Sequence, residues 1–406
     1  MDKISSIAIL GTYDTKGEEH LFLKERVEKQ GFRALTINIG TKKPPSCVVD
    51  IDLFTSLHGQ GILSKGRDRD EIIQAMLQEA KDAIKALYDK GKICGIVSAG
   101  GGSGTHLCTG IMKVLPLGVP KVMLSTVASR DMSNVVGTKD ITMMHSVSDI
   151  LGINSILGSM LDKAAAAVCA MARSDWTLGK NRRRIALSFF GFITQAAEQV
   201  KGVLEDKGYE VVTFHANGTG GTAMEELAQE GYFDGILDLA THELADHLMN
   251  GYCGNIGPHR FEPILGKSLP RLVIPGGLDC AVLEFDRHSI PGQYKDRKIF
   301  FYDFRSAIRL NEIETQTIAR QLSARLNPAG EMVKVLIPMQ GWSVADRVDG
   351  PLYDPNMNEL FIRTFKQNLD PAILILKEDF HINDLSFAKT AADIMDEMIV
   401  SKNKVG

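Results

Sequence analysis

Residues 98–105 read Ser-Ala-Gly-Gly-Gly-Ser-Gly-Thr and lie between an apolar run at 93–97 and a helix-like segment at 106–114. That order is typical of a buried strand, a glycine loop and a helix, the unit from which parallel sheets are built. Glycines in such a loop leave successive backbone N–H groups accessible, and the following helix adds the positive end of its dipole. The stretch therefore predicts a phosphate site, with a plain glycine turn as the alternative.

The glycine stretch matches neither of the two strong phosphate-binding motifs completely. No lysine follows its last glycine, so the P-loop pattern G-x-x-x-x-G-K-[ST] is absent. Gly100, Gly102 and Thr105 occupy the glycine positions of the dinucleotide pattern G-x-G-x-x-G, which is only partly present. A second glycine loop lies at 218–222, and whether it serves the same site stays open.

Composition indicates a globular chain without bulk charge. The chain has 406 residues, enough for two domains, with 44% hydrophobic and 24% charged residues. A formal charge of −4 gives no support to nucleic-acid or membrane binding. The six cysteines form no C-x-x-C pair, and we find neither a signal-peptide pattern nor an apolar run of membrane length. We therefore expect a cytoplasmic protein that binds neither nucleic acid nor a membrane.

Strand-like and helix-like runs alternate along both halves of the chain, which predicts βαβ units and parallel sheets. The strand-like runs begin near residues 4, 34, 93 and 120, and again near 184, 209, 233, 272, 334 and 372. We predict an α/β fold with two Rossmann-like doubly wound parallel-sheet domains that face a central cleft. The N-terminal nucleotide-binding domain would span 1–180 and the C-terminal α/β domain 181–406.

Ligands of doubly wound sheets bind beyond the carboxyl ends of the strands. In the first half of the chain, the loops that fall there are those at 11–16, 100–105 and 125–129. Lys16 would pair with a phosphate as a mobile charge. Asp14 is the candidate ligand of Mg²⁺ beside the phosphates, with capping of the next helix as the alternative. The predicted cofactor-binding residues are Gly11, Thr12, Asp14, Thr15, Lys16, Gly100, Gly101, Gly102, Ser103, Gly104, Thr105, Ser125 and Thr126.

Two residues of the second half are candidates for acid–base chemistry. Asp279 follows a glycine pair, where a ribose or metal partner and a plain turn residue both fit. His381 precedes the last helix and is either a general base or a residue that bonds backbone while a neighbour caps that helix. His242 and His247 are five residues apart, which is the wrong spacing for two zinc ligands on one helix face.

Six segments together resemble the Tm-one-like ATP-binding family, which comprises uncharacterised microbial proteins and the amino-terminal inhibitory domain of a plant tobamovirus-resistance protein. These segments are 11–19, 100–105, 119–129, 140–149, 215–221 and 380–384. The resemblance extends over nearly the whole chain. It implies two Rossmann-like subdomains, a dimer, and ATP bound by the glycine-rich loops.

The leading hypothesis is a cytoplasmic protein that binds ATP or another nucleotide, with Mg²⁺, at an interdomain cleft. The alternatives are a metabolic enzyme acting on a phosphorylated or carboxylated small molecule, and a non-catalytic interaction protein stabilised by bound nucleotide. The segment 148–171 is predicted to be one helix, and its part at 164–171 contains no charged or amide side chain. Together with the resemblance, this uncharged stretch predicts a homodimer or larger homo-oligomer.

Overall fold

The computed structural model describes residues 5–59, 68–175, 182–264 and 268–405, with side chains to residue 401. The chain divides into two compact units, Met1–Thr177 (unit 1) and Leu178–Gly406 (unit 2). The predicted domain boundary, between residues 180 and 181, falls within the segment 176–181, which lies outside the described residues.

Unit 1 is built on one parallel sheet of six strands, sheet 1. Its strands come from the predicted apolar runs and from two short segments that the sequence did not predict, β3 and β6. They are β1 (Ser6–Gly11), β2 (Arg33–Asn38), β3 (Ile51–Asp52), β4 (Ile93–Gly100), β5 (Lys121–Ser125) and β6 (Thr142–His145). The spatial order is β3-β2-β1-β4-β5-β6, the order of the dinucleotide-binding fold. Its topological switch point therefore lies between β1 and β4.

Helices cover both faces of sheet 1, because its strands are apolar on both sides. They are α1 (Gly17–Lys29), α2 (Leu53–Gly59), α3 (Arg69–Asp89), α4 (Gly102–Met112), α5 (Ser133–Val136) and α6 (Ser155–Arg173). One core joins α1 and α6 to the sheet through residues such as Leu23, Leu161 and Ile9. A second core joins α2, α3 and α4 to the opposite face through residues such as Leu57, Ile84 and Ile111. Unit 1 is thus doubly wound.

The helix predicted over 148–171 begins seven residues later than expected and ends at Arg173. α6 begins at Ser155 because the side chain of Asn154 accepts hydrogen bonds from the N–H groups of Ile156 and Leu157 and caps it. By length and composition alone α6 is apolar enough to cross a membrane, so the expectation that no run reaches that length was wrong. Its inner face packs on α1, β4 and β5, as in the core helix of a globular unit.

Unit 2 contains a second parallel sheet of six strands, sheet 2, and a small antiparallel sheet that the sequence did not predict. The strands are β7 (Arg184–Phe189), β8 (Glu210–His215), β9 (Gly235–Ala240), β10 (Arg271–Gly276), β11 (Cys280–Leu283), β12 (Ile299–Phe301), β13 (Ser306–Arg309), β14 (Val333–Pro338) and β15 (Leu374–Glu378). Sheet 2 has the order β15-β14-β10-β9-β7-β8, and the small sheet has the order β11-β13-β12. The switch point of sheet 2 lies between β7 and β9.

Helices also cover both faces of sheet 2. They are α7 (Thr194–Asp206), α8 (Thr219–Glu230), α9 (Glu243–Met249), α10 (Glu312–Leu326), α11 (Pro355–Asn368) and α12 (Leu385–Val405). α7 and α12 share one core with the sheet, through residues such as Val200 and Met395. α10 and α11 share another, through residues such as Leu322 and Phe365. The predicted α/β class with two doubly wound parallel sheets is confirmed.

Candidate functional site

A pocket of about 310 Å³ opens at the switch point of sheet 1. Two predicted loops line it, the one after β1 and the glycine stretch after β4, because the carboxyl ends of these adjacent strands point to the same edge. Segments that the sequence did not single out complete the wall. The lining residues are Thr12, Asp14, Thr15, Lys16, Ile39, Thr41, Lys42, Arg69, Ile73, Gly100, Gly101, Gly102, Ser103, Gly104 and Leu107.

The glycine stretch is the first turn of a helix and not a separate loop. β4 ends at Gly100, Gly101 has extended backbone at the N-cap, and α4 begins at Gly102, before the helix-like segment predicted from 106. The first N–H to bond within the turn is that of Thr105, which donates to the carbonyl of Gly101 at 2.8 Å. The N–H groups of the residues before it are those that a helix leaves without an internal acceptor. These N–H groups lie at the pocket, and unpaired N–H groups at the start of a helix are the kind of group that binds anions in other proteins.

Two glycines of this turn are not required by packing. A Cβ added to Gly102 or to Gly104 would meet no atom of the described residues within 4 Å. Gly100 differs, because its Cβ would lie 3.3 Å from the backbone of Gly104, a tight approach between strand and helix. The space above Gly102 and Gly104 is thus not filled by any described residue.

Four predicted binding residues lie behind the glycine turn and do not line the pocket. Thr105 and Ser125 are buried, and their hydroxyl oxygens lie 2.6 Å apart in a hydrogen bond that ties α4 to the end of β5. Gly11 is the last residue of β1, where a Cβ would lie 2.3 Å from the ring of His20. Thr126 donates its N–H to the carbonyl of Gly100 at 3.2 Å. These residues shape the turn.

The loop after β1 presents its polar groups to the pocket. The hydroxyl of Thr15 lies 3.3 Å from that of Thr12, and both residues line the pocket. The ammonium of Lys16 donates to the carbonyl of Ile150. That one bond leaves Lys16 two more N–H donors, since an ammonium carries three. Lys16 is therefore anchored at the pocket wall.

Asp14 does not cap α1, so the capping alternative was wrong. The N-cap of α1 is Lys16, which makes no side-chain cap bond. Asp14 is 4% exposed, and its carboxylate accepts the N–H of Lys42 at 3.1 Å and the hydroxyl of Thr15 at 3.4 Å. A Cβ on Gly40 would lie 2.6 Å from the carboxyl carbon. The carboxylate thus holds the 40–42 loop against the loop after β1.

The second glycine loop, at 218–222, is closed by atoms of its own unit. Gly218 donates its N–H to the carboxylate of Glu243 at 2.8 Å. A Cβ on Gly220 would lie 2.0 Å from the carbonyl oxygen of His215, and one on Gly221 would lie 2.5 Å from Glu243 and 2.6 Å from Arg260. Its glycines are therefore required by packing, unlike Gly102 and Gly104.

Arg260 is the centre of a buried ion cluster in unit 2. It donates to Asp238 at 2.7 Å, to Glu243 at 2.8 Å and to Glu225 at 3.0 Å. Burial by itself lowers the pKa of Arg260, but the three carboxylates outweigh it and hold the pKa above its usual value. Arg271 pairs with Glu225 from the other side. Sequence analysis missed the cluster because its members are far apart along the chain.

The two predicted catalytic residues meet at Ser343. Its hydroxyl donates to Asp279 at 2.9 Å, and its carbonyl accepts from Nε2 of His381 at 3.0 Å. Nδ1 of His381 accepts the N–H of Asn383 at 3.2 Å, so both ring nitrogens bond backbone. This arrangement agrees with the alternative in which His381 bonds backbone groups. A role of His381 as a general base stays a prediction. Asp279 is 1% exposed, and burial raises its pKa to about 7.

Three further residues converge at the carboxyl end of β9, and sequence analysis missed them as a group. They are His242, Asp246 and Cys253, all buried, with candidate ligand atoms within 4.8 Å of one another. Burial lowers the pKa of His242 to about 3 and raises that of Asp246 to about 7. His247, the other histidine of the segment, is bonded to the carbonyl of Gly254 at 2.8 Å. The sequence does contain one indication of this group. His242 lies four residues before Asp246, and residues four apart lie on the same face of a helix.

Another pocket, of about 220 Å³, lies at the amino end of sheet 2. It is lined by residues such as Ile236, Leu269 and Val333, and Arg271 is its one described charged residue. Because doubly wound sheets bind ligands at the opposite end of their strands, this pocket is not a candidate site.

Sequence comparison finds family matches over almost the whole chain. The N-terminal and C-terminal domain models of the uncharacterised protein family UPF0261 match residues 5–177 and 182–399. A UPF0261 protein from Clostridium tetani is 34% identical over 97% of this chain and 98% of its own length. The ToMV resistance protein Tm-1(GCR237) from Solanum lycopersicum is 30% identical over 95% of this chain, which spans 54% of the tomato protein.

Comparison with solved structures gives only loose matches. A putative UDP-N-acetylglucosamine 2-epimerase from Listeria monocytogenes covers 98% of this chain and 97% of its own, with 12% identity and a TM-score of 0.23. A likeness of that quality supports no conclusion about activity.

Proposed function

Because the chain belongs to the UPF0261 family, whose two domain models together span most of it, we propose a function from the site that its amino-terminal domain builds. Unit 1 binds ATP or a related nucleotide, with the phosphates held at the start of α4. The family and the fold do not by themselves identify a ligand, so the proposal depends on the pocket at the ends of β1 and β4.

The observation that carries the proposal is the unfilled space above Gly102 and Gly104. Glycine in a helix lowers the stability of the fold by about 0.5–1 kcal/mol relative to alanine. Packing does not require Gly102 or Gly104, so the presence of both in one turn needs another explanation. An anion on the N–H groups of that turn supplies it, because a Cβ at either position would occupy the anion's place.

The charge around this turn also suits phosphates. Lys16, Lys42 and Arg69 line the pocket, and Asp14 is its one described acidic lining residue. Three cations against one carboxylate favour a polyanion. Apolar wall residues, Ile39, Ile73 and Leu107, offer a surface for a flat base, and about 310 Å³ falls within the range of small-molecule sites.

Asp14 is the residue that fits a magnesium ion beside those phosphates. Mg²⁺ in nucleotide sites takes one or two carboxylates and completes its shell with phosphate oxygens and water. Each carboxylate oxygen of Asp14 accepts one hydrogen bond, which leaves a lone pair on each. Bound magnesium would screen the phosphate charge, and Asp14 would hold it while keeping the 40–42 loop in place.

Whether the bound nucleotide is turned over separates the two alternative roles, a metabolic enzyme and a non-catalytic interaction protein, from each other. An enzyme acting on a phosphorylated or carboxylated substrate would release phosphate from ATP, or consume the substrate, in the presence of the right metabolite. An interaction protein would bind the nucleotide without turnover.

Calorimetric titration of the full chain with ATP, ADP, AMP and adenosine, each with and without Mg²⁺, tests the proposal. We expect affinity to rise with the number of phosphates, and magnesium to strengthen ATP binding. At one hundred times Kd the ligand should stabilise the folded protein by about 2.7 kcal/mol. Equal affinity for adenosine and ATP, or no binding of any of them, would remove the phosphate site.

A further inference from the structure

Three buried side chains of unit 2 meet at the carboxyl edge of sheet 2. His242 follows β9, Asp246 lies one turn later on α9, and Cys253 lies on the loop beyond that helix. One nitrogen, one oxygen and one sulfur atom from them all lie within 4.8 Å of one another. We propose that His242, Asp246 and Cys253 form a binding site for a divalent metal ion of the zinc type. The proposal is independent of nucleotide binding in unit 1.

The chain after α9 folds back so that Cys253 reaches Asp246. Asn250 ends the helix with a left-handed φ of 52°. A Cβ on Gly251 would lie 2.9 Å from the carboxyl carbon of Asp246, and one on Gly254 would lie 2.6 Å from its carbonyl. Only glycine permits so close a return, and it fixes Cys253 beside the helix.

Backbone donors orient the Asp246 carboxylate. The N–H of Val282 donates to Oδ1 at 2.7 Å, and the N–H of Cys253 donates to Oδ2 at 2.8 Å. These bonds play the part of the outer-shell hydrogen bonds that fix carboxylate ligands at metal sites. Each oxygen keeps a lone pair for a metal ion.

His242 supplies the independent observation that points to a ligand. It is 0% exposed, and its ring stacks on Phe190 with the centroids 3.8 Å apart. Neither ring nitrogen has a hydrogen-bond partner among the described residues. Buried polar groups are almost always partnered, and leaving one unpaired is costly. A metal ion between His242, Asp246 and Cys253 satisfies one of these nitrogens.

The donor set selects the metal. Imidazole nitrogen and thiolate sulfur are ligands of zinc, whereas magnesium and calcium prefer oxygen alone. Tetrahedral zinc separates its ligand atoms by about 3.5 Å, so binding requires the three side chains to move together by no more than about an ångström. The proton of the Cys253 thiol leaves to solvent as the zinc–sulfur bond forms. A fourth position stays open for water or a substrate, as at catalytic zinc sites.

The place in the fold agrees with a functional site. His242 comes from the loop after β9, and Phe190, on which it stacks, comes directly after β7. These two strands flank the switch point of sheet 2, where doubly wound sheets bind their ligands.

Metal binding by the reduced, chelator-treated full chain tests the proposal. We expect one equivalent of Zn²⁺ per chain, and with Co²⁺ a thiolate-to-cobalt charge-transfer band in the near ultraviolet. Cys253→Ser should abolish that band and weaken zinc binding at least tenfold. His247→Gln, on the same helix, and Cys169→Ser, a buried cysteine of unit 1, are the matched controls and should keep both properties.

A folded wild-type chain that takes up no stoichiometric metal would overturn the site, and so would a Cys253→Ser variant that binds like the wild type. If that variant does not fold, X-ray absorption at the zinc edge of the wild-type protein decides. One sulfur in the metal shell supports the assignment, and a shell of nitrogen and oxygen alone refutes it.

Discussion

The hydroxyl of Ser343 donates a 2.9 Å hydrogen bond to the carboxylate of Asp279, in a place where Asp279 is 1% exposed. Arg309 pairs with Asp346 at 3.2 Å, and both of these charged groups act electrostatically on Asp279. Burial is the main cause that raises the pKa of Asp279 to about 7; Asp346 raises it further, and Arg309 opposes the rise. Asp279 is therefore protonated in the folded protein at a pH where an exposed aspartate is ionised.

Asp279→Asn should change how stability depends on pH. Because the folded pKa is raised, the stability from the Asp279 proton is complete below about pH 4 and is lost as the pH rises through about 7. The free energy of unfolding of the wild type, minus that of Asp279→Asn, should fall by up to about 1 kcal/mol per pH unit in that window. Urea unfolding of both proteins at either end of the window measures it. A difference independent of pH would contradict the shift.

Gly104→Val should remove nucleotide binding and leave the fold intact. Its side chain enters space that no described residue fills, so the unfolding free energy should change by less than about 1 kcal/mol. Nucleotide affinity should drop at least tenfold, because the side chain stands where the phosphates would lie. Gly202→Val is the matched control, since Gly202 lies in α7 with equally open space around it. Unchanged ATP affinity in Gly104→Val would argue against a phosphate at α4.

Gly220→Ala should destabilise unit 2, in contrast to changes in the first glycine stretch. Its Cβ would lie 2.0 Å from the backbone oxygen of His215, which cannot move as a side chain could. We expect a loss of about 3 kcal/mol, measured by denaturant unfolding. Gly102→Ala, made in parallel, should be neutral or stabilising. Equal stability of the two variants would show that the second loop is not packed as described.

Arg260→Met should cost about 3–5 kcal/mol of unfolding free energy, because it leaves three buried carboxylates without their shared cation. Lys24→Met removes one partner of an exposed pair, Lys24–Glu28, and should cost less than about 1 kcal/mol. Chemical denaturation of both variants gives the comparison. Similar small losses would mean that the Arg260 cluster is not a buried network.

We expect a homodimer, and α6 is the element on which we would test it. Ala164, Ala165 and Val168 are buried within unit 1, but Ala166 is only half-buried and Met171 is 40% exposed. Ala166→Glu should therefore fold and shift the mass seen by light scattering toward the monomer. A monomeric wild-type protein at micromolar concentration would contradict the expected homodimer. If Ala166→Glu is still a dimer, the dimer contact does not involve this face of α6.

The strands that the sequence predicted are those whose own composition identifies them. Apolar runs that end in glycine, such as the one that forms β4, need no knowledge of their neighbours. β3 has two residues, and the strands of the small antiparallel sheet have three or four, too few for a periodic pattern. They are strands because an adjacent strand pairs with them, and that pairing is tertiary information.

The same distinction separates the predicted from the missed site residues. The loops after β1 and β4 follow recognisable strands, so the rule for doubly wound sheets locates them. Lys42 and Arg69 reach the same pocket from other segments, and no local pattern marks them. Cys253 joins His242 and Asp246 only because the loop after α9 turns back on the helix.

The strand order of sheet 1 also has a consequence for how unit 1 folds. Ser6 of β1 pairs with Ile93 of β4, whereas the central pair of sheet 2 brings together the much closer Ile185 and Gly235. Closing the longer loop costs more chain entropy, and contacts of high sequence separation slow folding. During synthesis β1 can pair with β2 early, but its second neighbour, β4, exists only once the chain has reached Gly100. A ligand at the start of α4 can therefore assist the folding of unit 1 only after β4 and α4 have been made, and not the earlier pairing of β1 with β2.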